Sequence, residues 1–523
     1  MGIYLNPDNI IFKQIANKDI YVDKSMLLSV TNKLIESGDK YVCMSRPRRF
    51  GKTIAQNMIA AYYSRGCDSK ELFDSLEIAN EESYRKHLNK YNVIQIDLNS
   101  EYQNIRDKSN VICSLQDKII AELREVYPDV AVNDYDSLAE VILKIYSATS
   151  DTFIILIDEY DVLVREQVEQ SLFDEFLSFL NGLFKSSTLR PAISLAYLTG
   201  IMPVVRDKIQ SKLNNFEEYT ILDADGFAEY MGFTSDEVLN LCKEYNMDFD
   251  ECRNWYDGYN VNGFELYSPE SVVKSMKKGK YGSYWGKTSS YQVISDRLAH
   301  NYKGLKDDIV RMLSGEEIPV NITSFLNTMT DFNTKDDMYT YLIHLGYLAY
   351  NGVNETCHIP NREVRQEWFN AIAVSEGYET TDEIINNSKE LLDATLNGDE
   401  EQVSKALDVS HIHVASNRNY NNEDVFQSAI YLAYIYALNK YTVIKEMTTG
   451  KGFADVVYIP LDKSMPAMII ELKHNKTAET ALNQIKDKQY FDSLAHYKGN
   501  LLFVGISYDE KEKKHTCRIE KVN

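Results

Sequence analysis

No apolar run in these 523 residues approaches the roughly 20 needed to cross a bilayer as a helix. The sequence therefore predicts no membrane span and no membrane partner. Its start, MGIYLNPDNI, has no basic region ahead of an apolar core, so no signal peptide is expected. Position 6 is Asn6 rather than Ser or Thr, which disfavours myristoylation at Gly2. Cysteine is scarce and scattered: seven residues, at 43, 67, 113, 242, 252, 357 and 517, with no CxxC pair. An odd count without close pairs argues against a disulfide framework and a zinc site, and for buried thiols in a reducing cytoplasm. Positive charge is also short, at 56 Lys and Arg against 78 Asp and Glu, a net −22. That balance disfavours non-specific coating of nucleic acid but permits a local basic groove. Some of the acid sits near residues 376–401 (Glu376, Glu379, Asp382, Glu383, Asp399, Glu400, Glu401), whereas the last segment is rich in lysine. There is no internal repeat, no low-complexity tract and no Ser-His-Asp grouping.

What is present reads as two to four globular domains. Strand-like runs alternate with helical patterns over the first 210 residues: Tyr41–Ser45, Tyr91–Asp97, Phe153–Ile157 and Ile193–Leu198 are strands, and 108–126 is an amphipathic helix. Continuously apolar strands alternating with helices predict an α/β fold with a parallel sheet covered on both faces. From about 220 the texture turns to short helices and polar loops. Residues 380–408 read as paired helices. An apolar helix from Asn421 leads into strands around 443, 456 and 469, and Ala478–Leu494 reads as a further helix. The expected domains are 1–215, a mainly helical 216–375 (lid or winged-helix-like), a helical connector 376–410, and 411–523.

Two constellations carry chemistry. Ser45-Arg46-Pro47-Arg48-Arg49-Phe50-Gly51-Lys52-Thr53 lies between a strand and a helix, as a P-loop does, although Arg46 stands where the first glycine belongs. Helix-start amides cradle phosphates, Lys52 reaches the terminal phosphates, and the Thr53 hydroxyl binds Mg²⁺. The strand Phe153–Ile157 ends in Asp158-Glu159, placing Asp158 in the magnesium shell and Glu159 to polarise an attacking water. Thr199 is a γ-phosphate sensor or loop filler. Arg48 and Arg49 are phosphate contacts or pins to nearby carboxylates. Arg206 fits a surface salt bridge better than an arginine finger. The candidate nucleotide contacts are thus Arg46, Arg48, Arg49, Phe50, Gly51, Lys52, Thr53, Asp158 and Thr199.

The second constellation is Asp455, Glu471-Leu472-Lys473 and Gln484. Apolar runs flank it, Val456–Ile459 and Ala467–Ile470, and form a hairpin across Pro460–Pro466. Side chains two apart on a strand share a face, so Glu471 and Lys473 point one way and Leu472 the other. With Asp455 alongside, two carboxylates can hold a divalent metal, and the ammonium can orient water or stabilise phosphate charge. Gln484 returns to the site on the following helix or is a polar residue near its start. By contrast, Glu512-Lys513-Lys514 lies in a charged stretch and reads as solvated. His411, His413 and His474 lack partners at zinc-ligand spacing.

The segments RPRRFGKT, Tyr21-Val22-Asp23-Lys24-Ser25, IDEYD at 157–161, LTGI at 198–201, Trp255-Tyr256-Asp257-Gly258-Tyr259 and Tyr267-Ser268-Pro269 resemble the AAA-ATPase-like family of bacterial proteins. The resemblance covers nearly the whole chain. It implies a P-loop ATPase core, a helical middle region and a C-terminal restriction-endonuclease-like α/β domain of the PD-(D/E)xK superfamily, and the family's own loop carries arginine at position 46. In that pattern Asp455 and Glu471 are metal ligands and Lys473 the water-orienting residue. An acid on the first helix is frequent, making Glu423 either a further ligand or a first-turn residue complementing the helix dipole; Glu446 is a weaker alternative. The implied cofactors are ATP and Mg²⁺, with Mn²⁺ an option at the second site. The expectation is an ATP-regulated, metal-dependent DNA nuclease; the alternative is a nucleotide-switched binding protein. DNA is favoured over RNA because no RNA-binding module is visible. A homo-oligomer is compatible with an ATPase of this type.

Overall fold

The computed structural model describes residues 2–203, 215–285, 292–298, 302–325, 332–375, 379–414, 423–449, 452–462, 464–488 and 500–522. The side chains of His411, His413, Glu423 and Glu446, and the whole of Arg206, lie outside the described residues. The chain divides into two compact units. One comprises Met1–Cys252, Tyr256–Tyr284 and Pro319–Pro360; the other comprises Arg253–Trp255, Trp285–Ile318 and Asn361–Asn523.

In the first unit, β1 (Tyr41–Ser45), β2 (Asn92–Asp97), β3 (Phe153–Asp158), β4 (Ile193–Gly200) and β5 (Glu217–Tyr219) form a sheet of order β2-β3-β4-β1-β5 in which every pairing is parallel. Every residue of β1 and β3 is buried. A strand covered on both faces must be apolar at successive positions, which is why no period of two shows in these sequences. Val42, Met44, Val93, Ile154 and Leu156 pack with helices α1 (Leu27–Ser37) and α2 (Lys52–Tyr63). Their alternates Cys43, Ile94, Ile96, Ile155 and Ile157 pack with α3 (Val111–Val126), α4 (Leu138–Thr149) and α5 (Gln170–Phe184). Leu115, Ile119 and Leu123 supply the four-residue stripe of α3; residues 108–110 ahead of it form a 3₁₀ turn rather than the start of the helix.

Helices prevail from 216 to 375, among them Ser235–Glu244, α6 (Pro269–Lys278), Lys335–Leu345 and Arg362–Val374. Thr234 with Glu237, and Thr334 with Asp337, close capping boxes at two of these starts.

In the second unit, α7 (Glu379–Asn397) and α8 (Glu400–Val414) precede α9 (Glu423–Ala433), β6 (Tyr441–Thr449), β7 (Gly452–Pro460), β8 (Ala467–His474), α10 (Ala478–Asp487), β9 (Leu501–Asp509) and β10 (Lys514–Val522). The sheet runs β6 to β10 in chain order, antiparallel except for β8 and β9, which α10 joins in parallel. The hairpin across Pro460–Pro466 is β7–β8. The predicted helix ends at Asp487, and 489–499 lie outside the described residues. β9 and β10 are additions to the expectation, which took this segment only for its lysines. Val456, Met468, Ile470 and Leu472 face one core with residues of α7–α9, while Val457, Ile469 and Phe503 face another with Leu482 and Ile485 of α10. Among the described residues no helix is long and apolar enough to cross a membrane.

Candidate functional site

The loop between β1 and α2 turns at Gly51, whose φ of 93° is the left-handed conformation that glycine adopts without a Cβ penalty. The helix start that follows attracts an anion through its unpaired amides and dipole. A cavity of about 830 Å³ lies against the loop, with Arg48, Lys52 and Thr53 on its wall together with Glu159 and Arg165. Lys52 is buried and donates to the carbonyls of Arg46 at 2.9 Å and Pro47 at 3.0 Å. Burial lowers its pKa to about 8, against the pull of Asp158. Thr53 Oγ1 donates to Asp158 Oδ2 at 2.7 Å, and Thr199 Oγ1 donates to Asp158 Oδ1. Burial raises the Asp158 carboxyl, and the two hydroxyls act in the opposite sense. Parallel register explains this grouping: Met44 of β1 lies beside Thr199 of β4, and Ile157, next to Asp158, beside Leu198. Thr53 and Asp158 are hard oxygen donors in mutual contact, and this donor set suits a hard divalent cation.

The remaining loop residues separate. Arg46 is fully buried and donates to Ser45 O at 2.9 Å and Tyr219 O at 3.2 Å, tying the loop to β5 rather than lining the cavity. Burial lowers its pKa to about 10. Arg49 pairs with Glu270 at 3.0 Å and donates to Tyr284 O at 2.9 Å, so of its two readings the loop pin is the geometry present. Phe50 is buried edge-on against Tyr259, 5.3 Å between centroids. In the Tyr-Val-Asp-Lys-Ser motif, Lys24 bonds Glu237 at 2.6 Å, and Asp23 accepts the amides of Ser25 and Glu77 at 2.8 and 2.7 Å. Arg165, which the sequence did not single out, is ion-paired with Glu159. Its spacing of four from Asp161 on a helical turn was the available signal.

In the second unit, β7 and β8 bring Asp455 beside Glu471. The amide of Leu472 donates to Asp455 Oδ2 at 2.7 Å. Glu471 is buried; its Oε1 accepts from Lys473 Nζ at 2.9 Å and from Gln484 Nε2 of α10. Its Oε2 is buried and has no hydrogen-bond partner among the described residues. Burial, then the charge of Asp455, raises the Glu471 pKa to about 7. A buried lone pair beside a second carboxylate is the donor arrangement that a divalent cation satisfies. Among the described residues no group of three or more His, Cys, Asp and Glu gathers as a metal site. Leu472 sits in the opposite core, and His474 lies against Phe426 and Tyr508, with centroids 6.4 and 5.9 Å away.

Residues 10–210 match the family model described as Predicted AAA-ATPase, and 421–517 match that of the PD-(D/E)XK nuclease superfamily. A protein of Azotobacter chroococcum mcd 1, described as "Uncharacterized protein in vnfD 5'region", is 26% identical over 290 residues. The match takes in 53% of this chain and 52% of that relative, so the chain spans about half the relative's length. Among solved structures, the replication initiator DnaA bound to AMPPCP and single-stranded DNA matches at 13% identity, 72% of this chain, 91% of that chain and a TM-score of 0.27. The Aeropyrum pernix ORC2 protein in ADPNP-ADP complexes matches at 11%, 70%, 98% and 0.28.

Proposed function

We propose that this chain, which joins an AAA-ATPase-like segment to a PD-(D/E)XK nuclease-superfamily segment, binds and hydrolyses ATP and regulates a metal-dependent phosphodiesterase acting on DNA. Lys52 binds the terminal phosphates, Thr53 and Asp158 would hold Mg²⁺, Thr199 orients Asp158, and Glu159 polarises water. At the second site Asp455 and Glu471 would hold the divalent cation, which supplies Lewis-acid stabilisation of phosphate charge. Lys473 orients water, and Gln484 fixes one oxygen of Glu471. The observation that carries the reading is the buried Oε2 of Glu471, which has no hydrogen-bond partner among the described residues and lies beside Asp455.

The test is a panel of single- and double-stranded DNA and RNA with Mg²⁺ or Mn²⁺, with and without ATP, comparing wild type with Asp455→Ala and Lys473→Ala. Cleavage equal in all three proteins refutes the nuclease assignment. The net charge of −22 favours a second reading, a nucleotide-switched ATPase whose C-terminal segment binds without cutting; an unchanged binding isotherm in Asp455→Ala with no cleavage supports it.

A further inference from the structure

Glu159 has a left-handed backbone, φ 50°, uncommon for a residue with a Cβ. Its carboxylate is held by Arg165 Nη2. Arg165 comes from the helical turn Val162–Arg165 and is largely buried, with 13% of its side chain exposed. The same guanidinium approaches Asp161 Oδ2 through Nε at 3.3 Å. Asp161 is anchored in turn: Oδ2 accepts the amides of Ile201 at 3.0 Å and Met202 at 2.9 Å, at the end of β4. The chain of contacts thus runs from the backbone after β4, through Asp161 and Arg165, to Glu159, with Arg165 and Glu159 both on the cavity wall beside Lys52. Asp161, at 3% side-chain exposure, is fixed by two amides, whereas Glu159 is a third exposed and has Arg165 as its ion-pair partner. A guanidinium hydrogen-bonded to the more exposed carboxylate and ion-paired with the anchored one restrains the first.

We infer that Arg165 is a positioning residue for nucleotide hydrolysis, setting the place of the Glu159 carboxylate while Asp161 holds the arginine. It acts through Glu159 and makes no phosphate contact of its own. The inference rests on the assignment of Glu159 as the water-polarising residue.

The experiment is a double-mutant cycle on the full chain: wild type, R165A, E159Q and the double variant, with single-turnover phosphate release and titration of a non-hydrolysable ATP analogue. R165A should lower kcat about 10- to 100-fold, no more than the roughly 100-fold lower end of the range for general-base catalysis, because the arginine acts only through Glu159. Analogue affinity should stay within about threefold, and R165K should recover part of the rate. In the E159Q background, adding R165A should change the residual rate by less than about twofold, because both changes remove one function. A fall in kcat of the same factor in both backgrounds, a tenfold loss of analogue affinity, or no change in R165A overturns the inference while leaving Glu159 in its role. Wild-type turnover in E159Q overturns the Glu159 assignment and this inference with it. Melting curves check each variant; should R165A not fold, R165Q keeps the side-chain length without the charge and is read by the same criteria.

Discussion

Thr53 and Asp158, 105 residues apart, meet through a hydrogen bond of 2.7 Å from hydroxyl to carboxylate. Asp158 has burial against it and accepts from Thr199 as well, so its orientation is set by two hydroxyls.

Lys52→Ala removes the ammonium at the loop and should weaken ATP binding about 100-fold, the scale of hydrogen bonds to a charged group. Glu159→Gln leaves that ammonium and should bind ATP while turning over about 100-fold more slowly or less. Isothermal titration and phosphate release check the pair, and full turnover in Glu159→Gln refutes the role of Glu159.

Nucleotide binding should depend on pH through Lys52. Burial takes its pKa from 10.5 down to about 8. A triphosphate needs the ammonium form, which the free protein loses as pH rises through 8. Affinity should therefore be flat below that pH and fall about tenfold per unit above it, with a proton taken up on binding. Calorimetry at pH 9 in two buffers of different ionisation enthalpy measures the uptake; identical heats in both count against it.

Much of both sites can be read from spacing. Glu471 and Lys473 share a face because strands repeat every two residues, and Gln484 returns because α10 packs back across β8. Thr53 and Asp158 adjoin because strand ends line up in a parallel sheet. Arg46 is different: nothing in its neighbours shows whether an arginine at a glycine position points into the cavity or beneath the loop, and the carbonyl of Tyr219 that receives it is 173 residues away. Arg165 shows in the sequence only its spacing of four from Asp161; Glu159, six residues off, lies beyond the spacing of a helix face. β9 shows no alternation in sequence because Leu501–Tyr508 are all buried in the sheet.

The Trp-Tyr-Asp-Gly-Tyr motif should matter for stability. Gly258 has φ 109°, and a Cβ there would lie 2.2 Å from the Pro360 carbonyl oxygen. Tyr259 follows and packs on Phe50 of the phosphate loop. Gly258→Ala combines a strained backbone with a backbone clash and should cost roughly 3 kcal/mol. Thermal melting should show a large fall, whereas Gly263→Ala, with nothing among the described residues within 4 Å of its Cβ although its φ is also positive, should cost less.

Glu471 gives the second unit its own pH signature. Its folded pKa, about 7, exceeds the 4.5 of an ordinary glutamate because burial and Asp455 disfavour the anion. Between those values the folded chain holds a proton that the unfolded chain has lost. The stabilisation is complete below about pH 4.5 and disappears as pH rises through 7. From pH 5.5 to 7.5 the metal-free protein should lose on the order of 2 kcal/mol at this site, and Glu471→Gln should flatten that slope. A divalent cation works in the opposite sense, since it needs the carboxylate ionised: Mn²⁺ affinity should rise across the same interval, and added Mn²⁺ should restore stability at pH 7.5 but not at 5.5. Urea unfolding at both pH values, with and without Mn²⁺, separates the two. A Mn²⁺ stabilisation equal at both, or unchanged in Asp455→Ala, would show that the cation binds elsewhere.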